Sequence, residues 1–72
     1  MKMKGVIKWY KEDKKYGYIT GADDESYYFT ILDCININET FKEGDQVLFD
    51  PIFGEIDSAS KVEKVTINEE WN

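Results

Sequence analysis

Short stretches of alternating apolar and polar residues, separated by turn residues, recur along this chain of 72 residues. Alternation with a period of two places successive side chains on opposite faces of a strand, whereas an amphipathic helix needs a period of about 3.6 residues. No window of the sequence carries a helical pattern. We therefore predict an all-β protein with strands at residues 4–10, 16–20, 26–31, 46–50 and 59–67.

The alternation divides these strands into a core-facing set and an outward-facing set. The core-facing residues are predicted to be Gly17, Ile19, Tyr27, Phe29, Val47 and Phe49. The outward-facing residues are predicted to be Tyr16, Tyr18, Thr20, Tyr28, Thr30, Gln46, Leu48 and Asp50. Three tyrosines therefore share an outward face, where polar side chains are more usual.

Five short strands in so small a chain favour a closed or nearly closed barrel, which also removes exposed strand edges. Gly17 fits such a barrel, because a glycine in a strand permits tight curvature or leaves room for a ligand. Pro51 lacks a backbone N–H and is expected at a strand end or a sheet edge. We also expect a break in the alternation of the strand at residues 59–67.

Charge is distributed unevenly along the chain. Residues 1–19 hold six of the nine lysines but only two of the fifteen acidic residues, although the net charge of the whole chain is −6. The lysines stand beside aromatic rings, and this combination suits a single-stranded nucleic acid, since lysine neutralises phosphate and a ring stacks on a base. The overall acidity argues against strong non-specific binding to duplexes.

The composition excludes most enzyme classes. The chain has no histidine and no arginine, and no assembly of nucleophile, base and orienting group can be proposed. We expect no metal and no cofactor, and the acidic run at residues 23–25 is interpreted as a solvated turn. The lone Cys34 is expected to be a buried free thiol in a cytoplasmic protein, since the sequence shows no signal peptide or membrane-spanning segment.

Several motifs resemble those of the cold-shock domain family, over about residues 4–66. Residues 5–10 (GVIKWY) resemble the family's opening strand, and residues 14–19 (KKYGYI) resemble its first ribonucleoprotein motif, with tyrosines in place of the usual phenylalanines. Residues 27–31 (YYFTI) occupy the place of the second motif. The resemblance implies a five-stranded antiparallel OB-type β-barrel that binds single-stranded RNA or DNA.

Carried over by position, the resemblance implies a stacking platform with flanking phosphate contacts. The implied nucleic-acid-binding residues are Lys8, Trp9, Tyr10, Lys14, Tyr16, Tyr18, Tyr28 and Thr30. Tyr10 is expected to flank the platform. Strict alternation instead places Trp9 on the core side with Ile7, so we predict a bulge or a strand end near Trp9 that turns its ring outward.

The chain also departs from the family pattern. Thr30 and Ile31 stand where a histidine and a phenylalanine are typical, and each change removes a stacking surface. Lys15 replaces a glycine, which adds a cation but restricts the turn. The loop at residues 53–58 offers Glu55 and Asp57 in place of the usual basic residue and proline.

The sequence therefore predicts a cold-shock-like barrel at residues 1–67, followed by a short acidic tail at residues 68–72 that contains Trp71. The predicted function is that of a monomeric RNA chaperone or regulator of gene expression. The alternative is a protein-interaction barrel that has kept the fold and lost nucleic-acid binding, with Leu48 and Ile56 in an exposed apolar patch.

Overall fold

A computed structural model describes residues 2–65 of the chain. The five strands are β1 (Met3–Lys11), β2 (Tyr16–Gly21), β3 (Ser26–Thr30), β4 (Gln46–Ile52) and β5 (Ser58–Lys64). The all-β prediction is confirmed, and all five predicted strands are present. Residues 66 and 67 of the fifth predicted strand, and the tail with Trp71, lie outside the described residues.

The strands close into a barrel in the order β1-β2-β3-β5-β4. Most neighbouring strands are antiparallel, but β3 and β5 are parallel and meet at Tyr28 and Ser58. A second parallel bridge joins Cys34 to Val62. The predicted five-stranded antiparallel barrel is confirmed, and the β3–β5 pairing is the exception to its antiparallel order. β5, the last strand along the chain, lies between β3 and β4, and because it is antiparallel to β4 it runs in the same direction as β3.

The barrel interior is filled by the side chains that the alternation assigned to the core. Ile19, Tyr27, Phe29, Val47 and Phe49 have no exposed surface. The core is completed by Ile7, Cys34, Phe41, Ala59 and Val62. The predicted core-facing set is thus confirmed, and the tyrosines between its members are left on the outer surface.

Irregularities in the ladders set which residues face outward. The β1–β2 register shifts between Ile7 and Trp9, which confirms the predicted bulge. In the β4–β5 ladder, Lys61 and Val62 of β5 stand against the single residue Phe49 of β4, and this second irregularity confirms the expected break in the alternation of the fifth strand. Each extra residue shifts the alternation on its own strand by one position, so that side chains three positions apart can face the same side.

Gly17 is required by the packing of β1 against β2. A Cβ atom at this position would lie 2.9 Å from Tyr10 Cα, and nearer still to the carbonyl oxygen of Trp9. Gly17 is buried, so the group that approaches it is the backbone of β1 at the bulge. Gly17 therefore makes room for the backbone of Trp9 and Tyr10 and not for a ligand.

The third strand ends one residue earlier than predicted. A 3-10 helix begins at Ile31 and spans Ile31–Asp33, with Thr30 as its N-cap. Pro51 is the penultimate residue of β4 and pairs with Ala59 of β5, beyond the end of the β1–β4 ladder at Met3 and Phe49. Its position near a strand end agrees with the prediction. Among residues 2–65, no helix is long and apolar enough to cross a membrane.

Candidate nucleic-acid interface

Four aromatic rings form one cluster on the outer surface of β1, β2 and β3. The Trp9 ring centroid lies 5.5 Å from that of Tyr16 and 5.3 Å from that of Tyr18. The Tyr28 ring lies 6.0 Å from Tyr16 and 5.6 Å from Tyr18. All four side chains are partly exposed. We call this cluster, made of Trp9, Tyr16, Tyr18 and Tyr28, the aromatic face.

Strand register explains why these rings meet. Tyr18 pairs with Trp9 on one side and with Tyr28 on the other, so three rings lie in a row across three strands. Tyr16 lies two residues before Tyr18 and therefore points to the same side of β2. Trp9 joins the row because of the bulge at Lys8, which turns its ring outward although Ile7 is buried.

Three lysines stand close to Trp9 along the chain: Lys8 at the bulge, Lys11 at the end of β1 and Lys14 in the turn that follows. Lys8 and Lys14, the two predicted phosphate contacts, are exposed. Lys11 was not predicted as a site residue, yet its Nζ lies 5.9 Å from the centroid of the Trp9 ring. An ammonium group at this distance interacts favourably with an aromatic ring. The sequence did contain a sign of this role, because Lys11 follows Trp9 by two residues on the same strand.

Tyr10 does not join the aromatic face. Its ring stacks on that of buried Phe29 at 5.8 Å and meets the edge of Phe41 at 5.3 Å. The Tyr10 hydroxyl is buried and has no hydrogen-bond partner among residues 2–65. Burial is the main reason that the pKa of Tyr10 is raised, with further contributions from Glu12 and Cys34. The bulge that turns Trp9 outward thus turns the next side chain towards the core.

Partly exposed rings beside ammonium groups are suited to binding and offer no group for covalent chemistry. Each ring presents a π-face on which a base can stack, and such stacking contributes about 1–3 kcal/mol per base. The neighbouring lysines neutralise phosphates and release counterions.

Comparison with known proteins agrees with this geometry. A family model described as the 'Cold-shock' DNA-binding domain matches residues 3–65. The chain belongs to the cold-shock domain family. Cold shock protein 1 of Lactiplantibacillus plantarum is 40% identical over 48 residues, covering 64% of this chain and 71% of the relative. Cold shock-like protein CspC of Escherichia coli is 39% identical over 51 residues, covering 68% and 74%. The cold shock-like protein of Aquifex aeolicus is 33% identical over 54 residues, covering 72% and 77%.

Membership of this family makes the chain a nucleic-acid-binding protein and not an enzyme. Within residues 2–65, the His, Cys, Asp and Glu side chains form no group of three or more that could hold a metal ion. Asp23, from the acidic run, instead accepts hydrogen bonds from the Tyr27 hydroxyl at 2.6 Å and from the Glu25 backbone N–H at 3.1 Å. The bond from Tyr27 is the main reason that the pKa of Asp23 is lowered.

In this cold-shock domain, Thr30 lies beside the aromatic face and caps the 3-10 helix. It pairs with Tyr16 across the β2–β3 ladder. Its Oγ1 accepts a hydrogen bond from the Leu32 N–H at 3.2 Å, and its own N–H donates to Asp33 Oδ2 at 2.9 Å. Ile31, the other departure from the family pattern, packs partly buried against the core. Both residues therefore have structural roles in the turn that follows β3.

Cys34 is a buried free thiol, as predicted. Its S–H donates to the carbonyl oxygen of Thr30 at 3.5 Å. Burial, with smaller contributions from Asp33 and Glu39, raises the pKa of the Cys34 thiol to about 12. The thiol is therefore protonated at neutral pH, which makes it a poor nucleophile.

Proposed function

We propose that this cold-shock domain binds single-stranded RNA or DNA on the aromatic face and acts as an RNA chaperone. The observation that carries the proposal is the mutual contact of Trp9, Tyr16, Tyr18 and Tyr28 on the outer surface, at centroid distances between 5.3 and 6.0 Å. Rings that served only the core would be buried, whereas these are partly exposed.

The mechanism follows from what the aromatic face can hold. Unpaired bases have free π-faces and stack on the rings, whereas the bases of a duplex are already stacked on one another. A strand held on the rings is withdrawn from hairpin formation, so the protein opposes RNA secondary structure without a chemical step or ATP. Phosphate contacts from Lys8 and Lys14 make this binding sensitive to salt.

The alternative of a protein-interaction barrel has less support. Leu48, one of the two residues expected in an exposed apolar patch, is only partly exposed, between Lys4 of β1 and Glu63 of β5. The family assignment favours a nucleic acid as the partner. We further propose that the domain acts as a monomer in the cytoplasm, because a closed barrel leaves few edges for pairing and the thiol of Cys34 is free.

An NMR titration tests the proposed function. Isotope-labelled protein is titrated at low salt with a pyrimidine-rich single-stranded oligonucleotide and, in parallel, with the same sequence as a duplex. We expect the single strand to shift the amide signals of Lys8, Tyr16, Tyr18 and Tyr28 and the indole signal of Trp9, and added salt to reverse the shifts. An unchanged spectrum, or equal shifts with the duplex, would contradict the proposal.

A further inference from the structure

The outward-facing surface of β1 and β2 continues beyond the aromatic face. Trp9 pairs with Tyr18, the next pair along the ladder is buried in the core, and the pair after it is Val6 with Thr20. Thr20 follows Tyr18 by two residues, so both side chains point to the same side of β2, about 6.6 Å apart along the strand. Val6 is apolar and yet 38% exposed. The pair Val6–Thr20 therefore extends the aromatic face by one row.

An open groove of about 500 Å³ lies over this row. We call it the Val6 groove, and the side chains that line it include those of Val6, Thr20, Ala22 and Asp24. Gly5 and Gly21 also line the groove, pair with each other and are buried, so the backbone of the ladder forms the floor between them. The N–H of Ala22 donates to the carbonyl oxygen of Lys4 at 2.8 Å. The groove is therefore built on hydrogen-bonded backbone.

Lys8 stands between the Val6 groove and the aromatic face. It is the residue at the β1 bulge, it lies between Val6 and Trp9 along the chain, and its side chain is exposed. A strand that passes from the rings into the groove crosses this ammonium group, which can neutralise the phosphate between two successive bases. The position of Lys8 therefore favours the strand on the aromatic face, and not a separate ligand, as the occupant of the groove.

The Val6 groove offers both kinds of contact that a base can make. A base has a flat π-face and an edge that carries hydrogen-bond donors and acceptors. The Val6 side chain provides an apolar surface for the face of the base. At the edge, the Thr20 hydroxyl can donate and accept, and the carboxylate of Asp24, which is exposed in the β2–β3 turn, can accept from an N–H group. The size of the groove lies within the range of about 300–1,000 Å³ that is usual for ligand sites.

We infer that the Val6 groove is a further subsite of the interface and holds one base of the strand whose neighbouring bases stack on Trp9 and Tyr18. The inference rests on the proposed function, because it assumes that a single strand lies on the aromatic face. It makes Val6 and Thr20 binding residues, which the pattern of aromatic rings alone does not indicate. A ring stacks on any base, whereas the groove contacts a base edge through Thr20 and Asp24 and so contributes to base preference.

Strands that lack one base test this inference. A six-nucleotide oligothymidylate is compared at low salt with strands in which an abasic nucleotide replaces each position in turn. We expect the intact strand to shift the NMR amide signals of Thr20, Gly21 and Ala22. One abasic position near an end of the strand is expected to abolish these shifts while those of Tyr16 and Tyr18 remain. The same position is expected to lower affinity on the order of fivefold, because the apolar contact with the groove is lost.

Val6→Ser tests whether that loss comes from the groove. Val6 is exposed, so the variant is expected to stay folded and to bind the intact strand on the order of fivefold more weakly. The critical abasic position should then lower affinity by less than about twofold, because the contact is already absent. Ile37→Ser is the matched control, since it removes an exposed apolar side chain that does not line the groove. We expect the full effect of the abasic position to remain in this control.

Two results overturn the inference and leave the proposed function standing. The first is a set of groove amides that stay unshifted while the signals of the aromatic face respond to the intact strand. The second is an equal effect of every abasic position in the unaltered protein and in Val6→Ser. Unshifted signals at both the groove and the aromatic face overturn the inference and the proposed function together.

Discussion

Tyr10 and Tyr18 are the same residue type on neighbouring strands, yet the structure gives them opposite environments. The Tyr10 hydroxyl is buried and has no hydrogen-bond partner within the described part of the chain, whereas the Tyr18 ring lies on the aromatic face between Trp9 and Tyr28. Tyr10→Phe is expected to raise the free energy of unfolding by about 1 kcal/mol, because it removes an unsatisfied buried group. Its affinity for a single-stranded oligonucleotide is expected to stay unchanged. Tyr18→Ala is expected to cost about 1–3 kcal/mol of binding free energy while the domain stays folded. Urea denaturation and oligonucleotide titration of both variants provide the measurements. A loss of binding in Tyr10→Phe, or unchanged binding in Tyr18→Ala, would show that the interface does not consist of the rings proposed.

At the scale of the elements, the contact between β1 and β2 determines where Trp9 points, and Gly17 makes that contact possible. Gly17→Ala places a Cβ atom 2.9 Å from Tyr10 Cα, and backbone atoms cannot move aside as a flexible side chain can. We expect a loss of about 1–3 kcal/mol in the free energy of unfolding and a change in the NMR signal of the Trp9 indole. Gly54→Ala is the matched control, since the nearest atom to its Cβ is 3.9 Å away in an open loop. Equal losses for the two variants in urea denaturation would show that the effect comes from glycine itself and not from the close packing of the strands.

The elements also show how far the sequence could predict this structure. Alternation was sufficient for the cores of β2, β3 and β4, because strands with one buried face have a period of two. The bulge before Trp9 could be predicted only because two expectations disagreed. Alternation placed the Trp9 ring in the core, whereas the resemblance to the family placed it on the surface. The same bulge turns the Tyr10 side chain towards the core. The residue-by-residue comparison with the family did not predict this orientation. The 3-10 helix at Ile31–Asp33 was missed because its capping group, Thr30, also fits the end of a strand. The parallel β3–β5 pairing depends on how the barrel closes and therefore has no local pattern in the sequence.

At the scale of the whole molecule, burial of weakly acidic groups links folding to pH, with the largest shifts at Cys34 and Tyr27 and a further raised pKa at Tyr10. Burial raises the pKa of Cys34 from 9.0 to about 12. Burial and the hydrogen bond to Asp23 raise that of Tyr27 from 10.0 to about 12. At pH values between the unfolded and the folded pKa of each group, the unfolded chain has released a proton that the folded chain still holds. The free energy of unfolding therefore falls as pH rises. We expect this decline to begin near pH 9, where the unfolded thiol ionises, and to steepen above pH 10 as the unfolded phenol joins it. Each group contributes a slope of at most about 1.4 kcal/mol per pH unit. Urea denaturation between pH 7 and pH 11 measures the decline. Cys34→Ala is expected to lower stability at pH 7, because it leaves a cavity, but to shift the onset of the decline from about pH 9 to about pH 10. An unchanged onset in Cys34→Ala would mean that the thiol ionises as readily in the folded barrel as in the unfolded chain.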